Sequence, residues 1–242
     1  IVHEVDLCVV GGGMAGLIAA VSAARHGAKV LIMQDRPVFG GNASSEIRMW
    51  VCGARGADNK ETGLLEEIML ANYARNPTLK YALWDTVLYE TARFQPNLEM
   101  LLNCACTEVS TEGETITAVK GWQLTTQQWH SVQARYYADC SGDSILRICG
   151  ADFRRGREAR SEYNESYAPE TADDKTMGNT LLIQSRETGS AHRAFVRPGW
   201  ANAYQDGDLP NRYLTPTGQN FWWLEVGGMG DTIAQAEELR DE

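Results

Sequence analysis

Gly11, Gly13 and Gly16 stand at the Gly-x-Gly-x-x-Gly spacing of a backbone turn that wraps a pyrophosphate. Glycine at the first place permits the tight turn. At the second it lets N–H groups approach the phosphate oxygens, and at the third it lets the following helix lie close to the preceding strand. Met14 and Ala15 fall within that turn, and the unpaired N–H groups at the start of the helix it opens carry partial positive charge toward an anion. In a chain with 23 glycines the pattern alone would be weak. Its surroundings make it strong. Residues 5–10 are β-prone and apolar on both faces, residues 17–26 are a small-residue helix stopped by Gly27, and residues 29–33 are a second apolar strand. This is the order of a βαβ unit with a right-handed crossover.

Gln34 ends the second strand, where a carboxylate usually accepts the hydroxyls of a ribose. Its carbonyl can accept the same bond without a full charge, and Asp35 is the alternative acceptor. A neutral ribose contact at Gln34 predicts that Gln34→Glu keeps or tightens nucleotide binding.

The elements that must hold these residues follow from periodicity. After a loop rich in Gly, Ser and Asn, Asp58 and Glu61 have capping-box spacing ahead of Leu64, Leu65, Ile68, Met69 and Tyr73, which mark a helix. Trp84, Val87, Leu88 and Ala92 mark another. From Leu98 the period shifts toward two: residues 98–102, then Ile116, Ala118 and Trp122, then Val132, Ala134 and Tyr136 read as a small β-meander inserted in the nucleotide fold. Residues 136–141 return to the sheet, and residues 144–149 form a helix ended by Gly150. Beyond Phe153 come a charged stretch, strand-like residues 180–184 and 221–226, and a charged helical segment over residues 232–242.

With 43% apolar and 22% charged residues, the chain has a globular composition. A net charge of -10 offers no basic field, so neither a nucleic acid nor an anionic membrane surface is expected as a partner. The longest apolar run, residues 14–24, is too short to span a bilayer. The six cysteines (Cys8, Cys52, Cys104, Cys106, Cys140, Cys149) contain no Cys-x-x-Cys pair, so neither a disulfide scaffold nor a metal site is expected. His3, His26, His130 and His192 lack a nucleophile or ligand partner nearby in sequence, and no hydrolase site is read from them.

The segment Arg36-Pro37-Val38-Phe39-Gly40-Gly41-Asn42-Ala43-Ser44-Ser45 resembles the FAD-dependent oxidoreductase family, which shares its nucleotide fold with fumarate reductases and related two-domain flavoproteins. The likeness continues in Asp139-Cys140-Ser141-Gly142-Asp143 and in Gly156-Arg157-Glu158-Ala159-Arg160, and covers essentially the whole chain. It implies that the cofactor is FAD, and that the loop from Arg36 through Gly40, Gly41, Asn42, Ala43, Ser44 and Ser45 lies along the pyrophosphate and approaches the flavin. By the same likeness, Ser141, Gly142 and Asp143 also belong to the cofactor site. Cys106 offers backbone groups to adenine, with its side chain incidental. The likeness extends to a bacterial subgroup carrying Gln-Asp-Arg-Pro-Val-x-Gly-Gly-Asn-Ala-Ser-Ser-Glu, whose members are typically longer. That subgroup's association with carbohydrate-processing enzymes implies a sugar-derived substrate by analogy alone.

The expectation is therefore an α/β fold. A Rossmann-like FAD-binding domain with an inserted β-meander occupies residues 1–151, and part of a second, substrate or cap domain, incomplete at its C-terminus, occupies residues 152–242. The reaction is hydride transfer between a small organic molecule and flavin, and the alternative is a non-catalytic FAD- or ADP-binding subunit or a fragment of a larger assembly. Glu46 as proton acceptor and Arg48 as anion clamp follow the loop directly, unless they pair with each other or cap a helix. Arg157, beside Glu158 and Arg160, is the third candidate, unless that run is a salt-bridge network. Trp200, Trp222 and Trp223 either stack on a substrate or pack in a core. A small-molecule substrate and a further polypeptide segment completing the fold are the expected partners.

Overall fold

In a computed structural model of the chain, the structure describes residues 1–54, 57, 61–142, 145–184, 194, 196–205, 208, 221–228 and 230–241, excepting the side chains of Leu146, Gln184 and residues 221–224. Asp58, Asp143, Ser144 and His192 lie outside the described residues, as do the side chains of Trp222 and Trp223.

Strand β1 (Val2–Val10) is longer than the apolar run that marks it. Its first residues are exposed, yet they pair in parallel with residues 131–134, and this backbone pairing extends the strand beyond its buried part. Helix α1 (Met14–Arg25) starts three residues earlier than the periodicity predicts, because Gly13 in extended conformation serves as its N-cap and Gly16 lies inside the first turn. Strand β2 (Val30–Met33) is buried at every position. Helices α2 (Gly63–Arg75) and α3 (Tyr81–Arg93) follow, then β3 (Leu98–Leu101), β4 (Cys104–Glu112), β5 (Thr115–Gln123), β6 (Gln128–Asp139) and the short α4 (Ile145–Ile148). The expected capping box does not form at α2. Its N-cap is Thr62, and the Glu61 carboxylate instead accepts the Ala54 N–H at 2.6 Å.

The strands form one sheet in the order β3-β2-β1-β6-β5-β4. The first four are parallel, and β5 and β4 close the far side as antiparallel strands. Two expectations are corrected here. Residues 98–102 are not the first strand of a meander, since β3 is the parallel edge strand beside β2. Residues 128–139 are not a meander strand followed by a separate returning strand. They are one strand, β6, whose first part pairs with β5 and whose remainder pairs with β1. The sequence pattern breaks because the neighbours change along β6 while the backbone runs on.

Both faces of β1 and β2 are covered. Val9, Val30 and Ile32 pack with Leu17, Ala20 and Val21 of α1 and with Trp84, Val87 and Leu88 of α3. Cys8, Val10, Leu31 and Met33 pack on the other face with Val119, Val132 and Ile145. The alternation of a strand explains why such residues run uninterrupted through both strands.

The chain divides into two compact units, Ile1–Phe153 and Arg154–Glu242. The second contains α5 (Arg160–Tyr163), a two-stranded antiparallel ribbon of β7 (Asn179–Gln184) and β8 (Phe221–Val226), and α6 (Ala236–Asp241). Trp200 is exposed rather than part of a core.

The closest packing in the first unit is backbone on backbone. A Cβ at Gly16 would collide with the Gly11 carbonyl oxygen, and one at Gly11 would collide with the backbone of Cys140 and Ser141. Gly16→Ala should therefore lower stability by about 2 kcal/mol, within the usual cost of overpacking and despite the better helix propensity of alanine. Urea unfolding measures this, and an unchanged midpoint would show that α1 does not need to lie so close.

Candidate functional site

The parallel strands end in register, with Val10 beside Met33 and Asp139, and Met33 beside Leu101. The chain runs outward from β1 to β2 and β3, then returns to β6 on the other side of β1. That change of direction opens a crevice at the carboxyl ends of the strands, where open α/β sheets bind ligands. Loops 11–13, 34–48 and 140–142 all leave from that edge.

The glycines divide by what surrounds them. Gly11 and Gly16 are closed in by backbone, and a Cβ at Gly12 would meet the Phe39 ring at 2.6 Å and the Gln34 Cβ at 2.9 Å. Gly13 differs, since nothing lies within 4 Å of where its Cβ would stand, and its φ of -61° is open to any residue. The protein alone does not demand glycine there; a ligand lying in that space would. No side chain caps the helix that Gly13 opens, so the first N–H groups of α1, at Met14, Ala15 and Gly16, are left to an anion.

The second glycine pair forms the facing wall. Gly40 donates its N–H to the Gly12 carbonyl at 2.8 Å, and Gly13 and Gly40 form an isolated parallel bridge. Gly40 and Gly41 have φ of 109° and 56°, left-handed values that favour glycine. A short 3-10 turn, Gly41–Ala43, carries Asn42 and leads to Ser44, whose hydroxyl accepts the Glu46 N–H at 3.2 Å.

Gln34 is placed at the end of β2, but its amide has another use. Its Oε1 accepts the Gly12 N–H at 2.6 Å, while its Nε2 donates to the Val38 carbonyl at 3.2 Å, and the residue is only 4% exposed. Gln34 ties the first glycine turn to the loop that carries the second. These bonds argue against the expectation for Gln34→Glu, because a carboxylate has no hydrogen to give Val38 and would set a charged oxygen against that carbonyl. Asp35, the alternative ribose acceptor, is exposed, with the Arg36 guanidinium 3.8 Å away. Sequence reasoning passed over Gly12, although the run Gly11-Gly12-Gly13 is its signal.

Beyond β2, Asn103 and Cys104 donate their N–H groups to the carbonyls of Arg36 and Gln34, which brings the start of β4 to the same edge. The β4–β5 register shifts between Cys106 and Glu108, so Cys106 stands at an irregularity in the ladder. Burial pushes the thiols of Cys104 and Cys106 up to about 11 and that of Cys8 to about 12, which disfavours thiolate chemistry. All six cysteines are free. Ser141 donates to the Asp139 carboxylate through both its N–H (3.0 Å) and its hydroxyl (2.6 Å), and Gly142, with φ of 82°, has open space beside it.

The candidates for chemistry lie as follows. Glu46 sits 3.5 Å from the Arg36 guanidinium. Arg48 donates through Nε to the Ser45 carbonyl at 3.0 Å. Glu46 thus has Arg36 as a cation partner, where the alternative reading pairs it with Arg48. Arg157 belongs to the second unit, where it forms a two-pronged pair with the Asp173 carboxylate and exchanges backbone hydrogen bonds with the same residue. Its neighbour Arg160 pairs with Glu170, and Arg154 with Glu162. The charged run is a salt-bridge network. Among the described residues, no cluster of His, Cys, Asp and Glu could hold a metal ion, and no helix is long and apolar enough to cross a membrane.

The family described as FAD dependent oxidoreductase matches residues 6–232. The chain belongs to this family. Its glycine cradle fits the family's cofactor, FAD, on the strength of the open side of Gly13 and the uncapped helix end. A 39-residue stretch is 56% identical to a fumarate reductase (cytochrome) of Shewanella frigidimarina, covering 16% of this chain and 7% of the reductase. Among solved structures, a myxobacterial FAD-dependent halogenase is 18% identical with a TM-score of 0.45, over 64% of this chain and 41% of the halogenase. L-proline dehydrogenase from P. horikoshii is 16% identical with a TM-score of 0.37, over 58% of this chain and 23% of the dehydrogenase. The match therefore spans less than half the length of each of these proteins.

Two variants test the cradle. Gly13→Ala should unfold within about 1 kcal/mol of the unaltered protein, the cost of a poorer N-cap, yet lose FAD binding. Gln34→Glu should weaken FAD binding at least as much as the roughly 0.5–1.5 kcal/mol that one lost hydrogen bond is worth. Titration of the apoproteins with FAD measures both, and tighter binding by Gln34→Glu would return that residue to the ribose.

Proposed function

We propose that this member of the FAD-dependent oxidoreductase family transfers a hydride between a small organic molecule and the flavin. The observation that carries the reading is the space beside Gly13, kept clear between the uncapped start of α1 and the Gly40-Gly41 wall. When bound, FAD supplies the redox chemistry, and the chain supplies position and charge. The N–H groups of Met14, Ala15 and Gly16 hold the pyrophosphate, Gln34 keeps the two loops in register, and Gly40 to Ser45 lead toward the ring. Glu46 takes up or returns a substrate proton at its carboxylate, beside the Arg36 guanidinium 3.5 Å away. Arg48 is the candidate anion clamp. A sugar-derived substrate is supported by family analogy alone.

A second reading, an FAD-binding subunit without turnover of its own, is favoured by the pairing of Arg157 with Asp173, which leaves that guanidinium's charge balanced. A further polypeptide segment completing the fold is part of the proposal and rests on family resemblance alone.

The purified protein, loaded with FAD under anaerobic conditions, should be yellow and should bleach on addition of an oxidisable substrate, sugars and sugar acids first. Glu46→Gln should slow the bleaching by 10²-fold or more, the usual range for a lost general base, with FAD affinity unchanged. Flavin that stays oxidised against every class of organic donor, while dithionite bleaches it, would favour the binding subunit.

A further inference from the structure

Helix α3 faces the crevice loop with a row of side chains at positions i, i+3, i+4 and i+7, which share one face of a helix. Tyr81 donates its hydroxyl to the Arg48 carbonyl at 2.6 Å. Trp84 donates its indole N–H to the Ala43 carbonyl at 2.9 Å. The Asp85 carboxylate accepts the Ser45 N–H at 2.9 Å. Leu88, fully buried, lies against Gly40, where an added Cβ would come within 2.7 Å of its Cδ1. Four consecutive inward positions of one helix thus meet four points spread along residues 40–48.

That loop needs holding. Gly40, Gly41 and Arg48 all have φ in the left-handed region, and for Arg48, at 61°, that conformation persists only when its surroundings impose it. The loop's own bonds are short-range, such as Ala43 N–H to Gly40 and Arg48 N–H to Ser44. The helix is itself held in phase by Asn76, 1% exposed, which both donates to the Lys80 carbonyl and accepts the Lys80 N–H, so that Tyr81 begins α3 at a set place.

We propose that Tyr81, Trp84 and Asp85 are positioning residues of the flavin site, and that α3 clasps residues 43–48 in the one conformation the isoalloxazine ring can meet. The inference rests on the reading that this loop borders the flavin. None of the three touches the cofactor. They act through the carbonyls of Ala43 and Arg48 and the N–H of Ser45, with Asp85 the central point because its accepting oxygen is buried, where a hydrogen bond is strong. A loop released from the clasp would have to be ordered again by each FAD that binds, and affinity would fall by the fraction of chains in the competent shape.

The test uses the full chain and its FAD, with three readouts: FAD affinity by titration, the visible absorption envelope of the bound flavin, and the urea midpoint of the apoprotein. Asp85→Ala should weaken FAD binding about tenfold or more and alter the envelope. Asp85→Asn, which keeps an oxygen for the Ser45 N–H, should restore both. Trp84→Phe, which keeps the ring in the core but removes the donor to Ala43, should weaken binding in the same direction and guards against Asp85→Ala failing to fold. Thr86→Ala, on the outer face of the same helix, should change neither binding nor spectrum. Wild-type affinity and spectrum in Asp85→Ala would overturn the clasp. So would an Asn variant as impaired as the Ala variant, or equal loss in Thr86→Ala. If the unaltered protein binds no FAD, the cofactor reading fails and the clasp fails with it.

Discussion

The structure of the first unit depends on how closely one stretch of backbone can approach another around Gly11 to Gly16. The helix start leans on the Gly11 carbonyl, the Cys140-Ser141 backbone lies against Gly11, and the Gly40 N–H reaches the Gly12 carbonyl. The first two approaches leave no room for a Cβ at Gly16 or Gly11, so the helix start and the Cys140-Ser141 segment converge on the turn only because those residues have no side chain. What the convergence leaves empty is the side of Gly13, and the cofactor chemistry follows from that space.

The long strand β6 carries the third of those segments. By pairing with β1 from Val2 to Val10, it delivers Asp139 to the level of Val10 and sets Cys140 and Ser141 over the glycine turn. The same strand holds the antiparallel β5 and β4 in place at its other end, so the start of β4 returns beside Gln34 and Arg36. The meander is thus continuous with the sheet, and the glycine turn and the start of β4 are both hung on one twelve-residue element.

Charge is distributed conservatively around this frame. Glu46 has Arg36 beside it, Arg157 has Asp173, and Asp85 has a backbone N–H. The helix-start amides of α1 have no side-chain cap, and that is the place a diphosphate would occupy. A site organised in this way leaves the redox step to its cofactor and uses the chain to hold shape, as flavoproteins do.

The βαβ unit, the glycine turn and the family were legible in the sequence, because each depends on residue type at short spacing: a run apolar on both faces, glycines where a Cβ cannot fit, a helix of small residues. The positions of Gly40 to Ser45 beside that turn rested on resemblance, since no local rule brings residue 40 to residue 12. The use of Gln34 was not legible. A glutamine at the end of a strand can accept or donate, and only the placement of Gly12 on one side and Val38 on the other decides that it does both. Nor was the role of Tyr81, Trp84 and Asp85 legible: their spacing announces a helix face toward a core, and the loop they meet arrives there through tertiary packing. The sequence by itself determined where the backbone must come close, because steric exclusion is local to a residue. The partners of each polar group were decided by the tertiary structure alone, because a hydrogen bond needs two groups whose meeting is set by the whole sheet.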